Sequence, residues 1–215
     1  MKVEIYTVVK DAMYILPYYI EHYRSSFPGC KINMFDNGST DSTIEYCLKH
    51  GCIVTPFLEF KVYIREDIHQ KLNNNIWKTS DADWIIICDI DELIQINEDQ
   101  VLKLDPKINI IHFKGYNMVD KFNLKDPAKF NYGFHSLPYD KCCMFTRGVG
   151  EINYTQGAHE CKPTKPVYSK HQFKLLHYNK CWFNVEEFLK WHSKGPKAVI
   201  ENIYRNATKK LDKVK

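Results

Sequence analysis

The run Trp84-Ile85-Ile86-Ile87-Cys88 constrains the fold of this chain more than any other segment. It is apolar without alternation, which suits a parallel strand buried on both faces better than a half-exposed antiparallel one. Parallel strands need crossover connections, and the residues ahead of this run supply them. Val3 to Val9 form a β-branched run; residues 12–26 then carry a helical apolar pattern (Ile15, Tyr19, Tyr23), with Pro17 tolerated near its start and Pro28-Gly29 closing it. Ile32 to Phe35 reads as a second strand, followed by the turn Asp36-Asn37-Gly38-Ser39-Thr40 and a helix over about 41–50 that Gly51 ends. Cys52 to Thr55 is a third short strand, and about 64–79 a further helix. This order predicts an α/β fold, Rossmann-like, with a mostly parallel central sheet flanked by helices and ligands at the carboxyl ends of the strands.

Past Asp105-Pro106 the pattern changes to shorter strands, Asn109 to Phe113, Lys141 to Thr146 and Phe173 to His177, joined by aromatic and Gly/Pro-containing loops. That half reads as mixed rather than parallel. The tail returns to helix, with Asn184 as N-cap, Glu186 and Glu187 in the first turn, and a second helix after Gly195-Pro196. With no repeat or linker, residues 1–215 read as a single domain of two halves, 1–105 and 106–215, sharing one core.

Charge and cysteine usage narrow the function classes. The net charge of +4 is modest and scattered, which argues against a nucleic-acid surface, and the basic run Lys209 to Lys215 reads as a solvated helix end or tail. The 8 cysteines follow no secretory leader and contain no C-x-x-C, so we read them as reduced thiols, with Cys47 and Cys88 in apolar patterns of the core. No apolar stretch approaches the roughly 20 residues of a membrane span. These features predict a cytoplasmic location.

The buried run ends in Asp89-Ile90-Asp91-Glu92. Carboxylates two apart on an extended segment project to one side and can meet one ligand. Mg²⁺ or Mn²⁺ held by one or two carboxylates bridges diphosphate oxygens and neutralises the charge that develops as a diphosphate leaves, as with a nucleotide-sugar. Hard oxygen ligands suit these ions better than zinc. A lone D-x-D also ends many strands as a plain polar terminus. Here Lys10-Asp11 after the first strand and Asp36-Asn37 after the second fall at the same sheet edge, which favours a site. Asp-Ile-Asp after an apolar strand also suits a haloacid-dehalogenase-like phosphohydrolase with Asp89 as nucleophile, although two β-α units precede it here. A nucleotidyltransferase lacks its Gly-rich phosphate loop. A non-catalytic nucleotide- or glycan-binding module remains a third class.

Val8-Val9-Lys10-Asp11 before a helix, Phe35-Asp36-Asn37-Gly38-Ser39-Thr40-Asp41, and Trp84 through Glu92 resemble, in order and spacing, three signature segments of family-2-like GT-A glycosyltransferases. The strand ending in D-N-x-S-x-D is the most specific of them. The resemblance is clear over about 1–95 and looser over about 140–195. It implies a GT-A fold and metal-dependent, inverting transfer from a UDP-sugar to a glycan hydroxyl, with residues 1–105 as the nucleotide-sugar half and 106–215 as the acceptor half. The chain is also similar to transferase domains of chlorella-virus capsid-glycan enzymes, which implies the host cytoplasm and further domains of a longer chain.

Residue by residue, the resemblance implies that Thr7, Val9 and Asp11 line the nucleoside pocket, with Asp36 and Asn37 at the uracil or ribose edge. Arg65 lies where the family often places an arginine facing the diphosphate; a surface Arg beside Glu66 is the alternative. Asp89 and Ile90 would meet the ribose, Asp89 also the hydration of the metal, and Asp91 the metal itself. His177 would complete the metal shell, with His159 as its rival. The family's usual Glu-Asp base pair is missing. Glu160, after the metal motif in a loop-rich stretch, is the first candidate for the base, with Glu151 and Asp140 as alternatives. Tyr116, Phe134, Tyr139 and Trp182 could stack on sugar faces or belong to the core.

Overall fold

The computed structural model describes residues 1–57, 66–119, 126–178 and 212–215. Four strands, β1 (Val3–Val9), β2 (Lys31–Asp36), β3 (Ile53–Pro56) and β4 (Trp84–Ile87), lie parallel in the order β3-β2-β1-β4. They alternate with α1 (Leu16–Ser26), α2 (Thr43–Lys49) and α3 (Glu66–Asn75). All four residues of β4 are buried, and they divide between two cores. Trp84 and Ile86 pack on the α1 side with Tyr19 and Tyr23, whereas Ile85 and Ile87 pack on the opposite side with Trp77, Phe145 and Tyr154. Burial on both faces is the reason the run shows no polar alternation.

Leu16, Tyr19, Ile20 and Tyr23 form the buried stripe of α1, with Pro17 in its first turn where a missing N–H costs nothing. Each buried side chain of this size contributes roughly 1.5–3 kcal/mol against leaving it in water. Gly29, at φ +80°, turns the chain from α1 toward β2 in a conformation that side chains with a Cβ resist.

The chain beyond β4 is mixed, as expected past Asp105, but contains more strands than the sequence predicts. β5 (Glu92–Gln95) follows the Asp89–Asp91 turn at once; next come the short helix α4 (Glu98–Val101), with an Asn97/Gln100 capping box, and β6 (Ile110–Val119). β7 (Tyr132–His135), β8 (Lys141–Phe145), β9 (Phe173–His177) and β10 (Asp212–Lys213) complete the sheet. β8 inserts antiparallel between β4 and β6, and β7 continues antiparallel along β6 beyond it. β9 runs parallel to β6 and antiparallel to β5, so the register sets Asn117, His177 and Glu92 in one row. β5 and β7 are short and mixed in polarity, which hides them from periodicity. The helices expected after Asn184 and Gly195 lie outside the described residues, as does Trp182.

The chain passes from β7 to β8 through a 3-10 turn (Leu137–Tyr139) that crosses directly over Gly115 of β6. Ser136 N–H donates to the Gly115 carbonyl at 3.0 Å, and Gly115 N–H donates to Asp140 Oδ1 at 2.7 Å. A Cβ at residue 115 would stand 2.3 Å from the Tyr139 carbonyl oxygen, and backbone cannot move aside as a flexible side chain can. Gly115→Ala is therefore expected to destabilise by about 1–3 kcal/mol or more in denaturant titration. Native stability would show that the 137–139 crossing is not held against β6.

Candidate active site

The turn between β4 and β5 is closed on itself. Glu92 N–H donates to the Asp89 carbonyl at 3.0 Å, and Asp89 N–H donates to Glu92 Oε2 at 3.0 Å. From below, the Tyr23 hydroxyl donates to the Glu92 carbonyl at 3.0 Å and lies 3.1 Å from Cys88 Sγ, so α1 braces the turn. Tyr178 N–H donates to the Asp91 carbonyl at 2.7 Å. With its backbone so engaged, the segment presents Asp89 and Asp91 as side chains on a fixed frame.

Glu92 is fully buried, and Lys141 Nζ, from the first residue of β8, meets its Oε1 at 2.6 Å and Asp89 Oδ2 at 3.7 Å. Burial works against the Lys141 ammonium, but Glu92 and Asp89 outweigh it and hold the pKa above the ordinary lysine value. Asp91 forms a second pair. Its Oδ2 lies 3.5 Å from His177 Nε2, and His177 Nδ1 lies 2.6 Å from Asn117 Oδ1. Burial opposes ionisation of Asp91, yet His177, a backbone hydrogen bond and Lys141 keep its carboxyl below the usual range. Tyr139 stacks on His177 with ring centroids 3.8 Å apart, and burial beside Asp91 and Glu92 pushes its phenol up to about 12.

A cavity of about 470 Å³ opens above this turn at the carboxyl ends of the parallel strands. Its floor is Asp89, Ile90, Asp91 and His177; Val8, Val9, Lys10, Tyr14 and Asn37 form one wall, and His69, Tyr139, Gly157 and His159 the other. Residues expected at the site thus converge here from distant segments: Val9, Asn37, Asp89, Ile90, Asp91 and His177, with His159 also in the lining. A second cavity of about 470 Å³ shares His159 and contains Glu160, Asp140 and Lys141. Two of the three candidate bases therefore stand beside the first cavity. Asp140 is already engaged, accepting from Gly115 N–H at 2.7 Å and meeting His135 Nε2 at 2.9 Å. Glu151 lines neither cavity and pairs with Lys78 at 2.7 Å.

Three expected nucleoside residues lie behind the wall rather than in it. Thr7 is buried and outside the cavity lining, its hydroxyl 3.4 Å from the Val8 carbonyl. Asp11, at φ 47°, accepts from Thr40 N–H at 2.7 Å and Asp41 N–H at 3.2 Å, tying the β1-α1 loop to the β2-α2 loop. These hydrogen bonds, that from Thr40 first, hold its carboxyl below the ordinary range. Asp36 is spent on its own turn, accepting from Gly38 N–H at 3.0 Å and Ser39 N–H at 3.1 Å. Arg65 lies outside the described residues.

No family model and no curated protein matches the sequence. Among solved structures, S. aureus TarS aligns over 96% of this chain and 43% of its own, at 11% identity and a TM-score of 0.53. The fold matches that of TarS. Two further structures align more locally. They are TarS 1-349 in complex with UDP (16% identity, 54% of this chain and 36% of that one, TM-score 0.43) and M. tuberculosis glucosyl-3-phosphoglycerate synthase with Mn²⁺, UDP and glucosyl-3-phosphoglycerate (13%, 54% and 44%, 0.35). This chain spans less than half the length of each. The GT-A architecture expected from the sequence is the one TarS shares with this chain over nearly its whole length.

The donor set fits a hard divalent cation in part. Asp91 and His177 are neighbours facing one cavity, while Asp89 leans toward Lys141. Among the described residues no group of three His, Cys, Asp or Glu side chains is drawn close enough to hold an ion. A Mg²⁺- or Mn²⁺-type site with one or two protein carboxylates takes its other oxygens from water and substrate phosphates, so a preformed cage is not required. Seven of the cysteines are described, and all seven are free thiols. Among the described residues no helix is long and apolar enough to cross a membrane.

Sequence reasoning missed Lys141, Asn117, His69 and Tyr14. Lys141 had a signal, a lysine heading the otherwise apolar Lys141-Cys142-Cys143-Met144-Phe145. Asn117 had none. The pair Lys141–Glu92 yields a direct test. Lys141→Met leaves Glu92 buried and unpaired and is expected to cost about 3–5 kcal/mol of stability. Lys141→Met combined with Glu92→Leu should recover most of that loss by calorimetry. A double variant no better than the single one would contradict the pairing.

Proposed function

We propose that this chain transfers a sugar from a UDP-sugar to a glycan hydroxyl, with inversion, using Mn²⁺ or Mg²⁺. The observation that carries this reading is the convergence of Asp89, Ile90 and Asp91 with His177 and Asn37 in one cavity at the carboxyl ends of the parallel strands. The shared fold with TarS, which has been crystallised with UDP, supports it. Val9, Asn37 and Ile90 wall the nucleotide; Thr7, Asp11 and Asp36 shape that wall through the strand and loops they tie. Residues 1–105 carry the donor half and 106–215 the acceptor half of one domain.

Asp91 and His177 would hold the metal, with Asp89 toward the ribose. When bound, the ion supplies charge neutralisation for the departing diphosphate. His69 and Lys10 line the same space, where cationic or hydrogen-bonding groups suit phosphate. In the transfer, the acceptor oxygen bonds to the anomeric carbon as the bond from that carbon to the diphosphate oxygen breaks. The acceptor proton passes to a carboxylate, and UDP departs with the electron pair. Glu160 is the carboxylate we assign, because the cavity it lines adjoins the donor cavity at His159. A capsid glycan as acceptor, the host cytoplasm as location and further domains rest on the sequence resemblance alone.

Two measurements test this reading. Asp91→Ala is expected to lower Mn²⁺-dependent UDP-sugar hydrolysis and transfer at least about 100-fold, the scale of losing one catalytic electrostatic contact. Full metal-dependent activity in that variant would sink the mechanism; UDP and Mn²⁺ binding without any turnover would favour a binding module instead. Glu160→Gln is expected to reduce kcat about 10²–10⁴-fold while UDP affinity is unchanged, as removal of a general base does. An unchanged kcat would transfer the role to another carboxylate, Asp140 before Glu151.

A further inference from the structure

We infer that Asn117 is a positioning residue that selects which nitrogen of His177 faces the metal. The inference rests on the metal-dependent reading above and adds a residue that no sequence motif marks. Asn117 and His177 are both buried and sit side by side in the parallel β6–β9 register. Asn117 Oδ1 lies 2.6 Å from His177 Nδ1, a short contact in which an amide oxygen can only accept. That acceptor keeps the imidazole proton on Nδ1. Nε2, 3.5 Å from Asp91 Oδ2 and facing the cavity, is then the nitrogen left for a cation.

The long distance on the Asp91 side fits this arrangement. The gap exceeds the roughly 2.7–2.9 Å of a charge-assisted contact between nitrogen and carboxylate, so neither atom is committed to a short direct bond with the other. With a cation bound, Asp91 and His177 would both be donors to it. Hydrogen bonds to the non-ligating nitrogen fix the tautomer and ring plane of metal-binding histidines and raise their basicity. Two more contacts hold the ring. Tyr139 covers one face at 3.8 Å, and the β5–β9 register fixes His177 opposite Glu92, next to the Asp89–Asp91 turn. Ring plane, tautomer and height above the turn are therefore set by three different strands and one 3-10 turn.

The test measures Mn²⁺ affinity in the presence of UDP by electron paramagnetic resonance, together with the melting temperature, for Asn117→Leu, Asn117→Asp, His177→Ala and Asp91→Ala. Asn117→Leu, which keeps the volume and removes the acceptor, is expected to weaken Mn²⁺ about 10–100-fold, the range for loss of an orienting partner. Asn117→Asp can only accept, so it is expected to retain or tighten binding. In Co²⁺-loaded protein the Nδ1 proton should give a hyperfine-shifted exchangeable NMR signal that Asn117→Leu removes, a readout a purely structural role would not move. Unchanged Mn²⁺ affinity in a folded Asn117→Leu, beside a weakened His177→Ala, overturns the inference. Should Asn117→Leu fail to fold, Asn117→Asp decides: retained affinity supports the acceptor role, and a tenfold or greater loss at native melting temperature, by the same measure, overturns it. His177→Ala without effect, with Asp91→Ala deleterious, removes His177 from the shell and this inference with it while leaving the transferase reading in place. Asp91→Ala without effect overturns both.

Discussion

The buried contact between Lys141 and Glu92 is the interaction on which the geometry of the cavity depends. Glu92 begins β5, Lys141 begins β8, and their 2.6 Å contact joins the outgoing end of the carboxylate turn to the strand inserted beside β4. Two buried charges are costly apart and tolerable only together, so neither strand can slide without exposing the other's charge to an apolar interior. The Glu92 carboxylate also accepts from Asp89 N–H, which means that the group neutralising Lys141 is the one that shapes the turn. Stability and site geometry are in this way the same set of contacts.

Around that contact the molecule uses hydrogen bonds behind the cavity to hold the segments whose side chains line it. Asp11 and Asp36 give their oxygens to N–H groups of the β2-α2 loop, and Tyr23 gives its hydroxyl to the carboxylate turn. These polar groups lie behind the cavity wall; those in it, Asp89, Asp91, His177 and Asn37, arrive on segments already held. The α3 side follows the same logic. Gln70 and Asn74 donate to the Tyr154 carbonyl at 2.7 and 3.1 Å, docking the helix that carries His69 to the loop leading to Gly157 and His159. A site whose frame is closed by backbone contacts needs little reorganisation when charge develops in it.

The first four strands and three helices were legible in the sequence because each has a strong local cause: β-branched runs, a Tyr/Leu stripe at helical spacing, and Gly or Pro at the boundaries. β5 and β7 were not, being short and held by neighbours rather than by propensity. Among site residues, Asp89, Asp91 and Asn37 could be found because they follow strands at the ligand edge of a parallel sheet. Thr7 could not be placed from sequence: it shares a sheet face with Val9, two residues on, but lies further back from the carboxyl end of β1, where the cavity opens. Asp36 likewise looked like a ligand residue, but its own turn competes for both oxygens.

By itself the sequence determined the parallel half of the sheet and the position of the Asp89-Ile90-Asp91 turn at its ligand edge, because those depend on periodicity and on strand direction, which are local. Only the tertiary structure brought Asn117 and Lys141 to the turn and set His177, which the resemblance already named, opposite it. His177 comes from a strand nearly ninety positions away, Asn117 from another, and Lys141 from a third, and they meet through strand order and register, β6 beside β9 beside β5 and β8 beside β4. Register is a property of pairs of strands, set by burial on facing surfaces, so no reading of one segment could have supplied it.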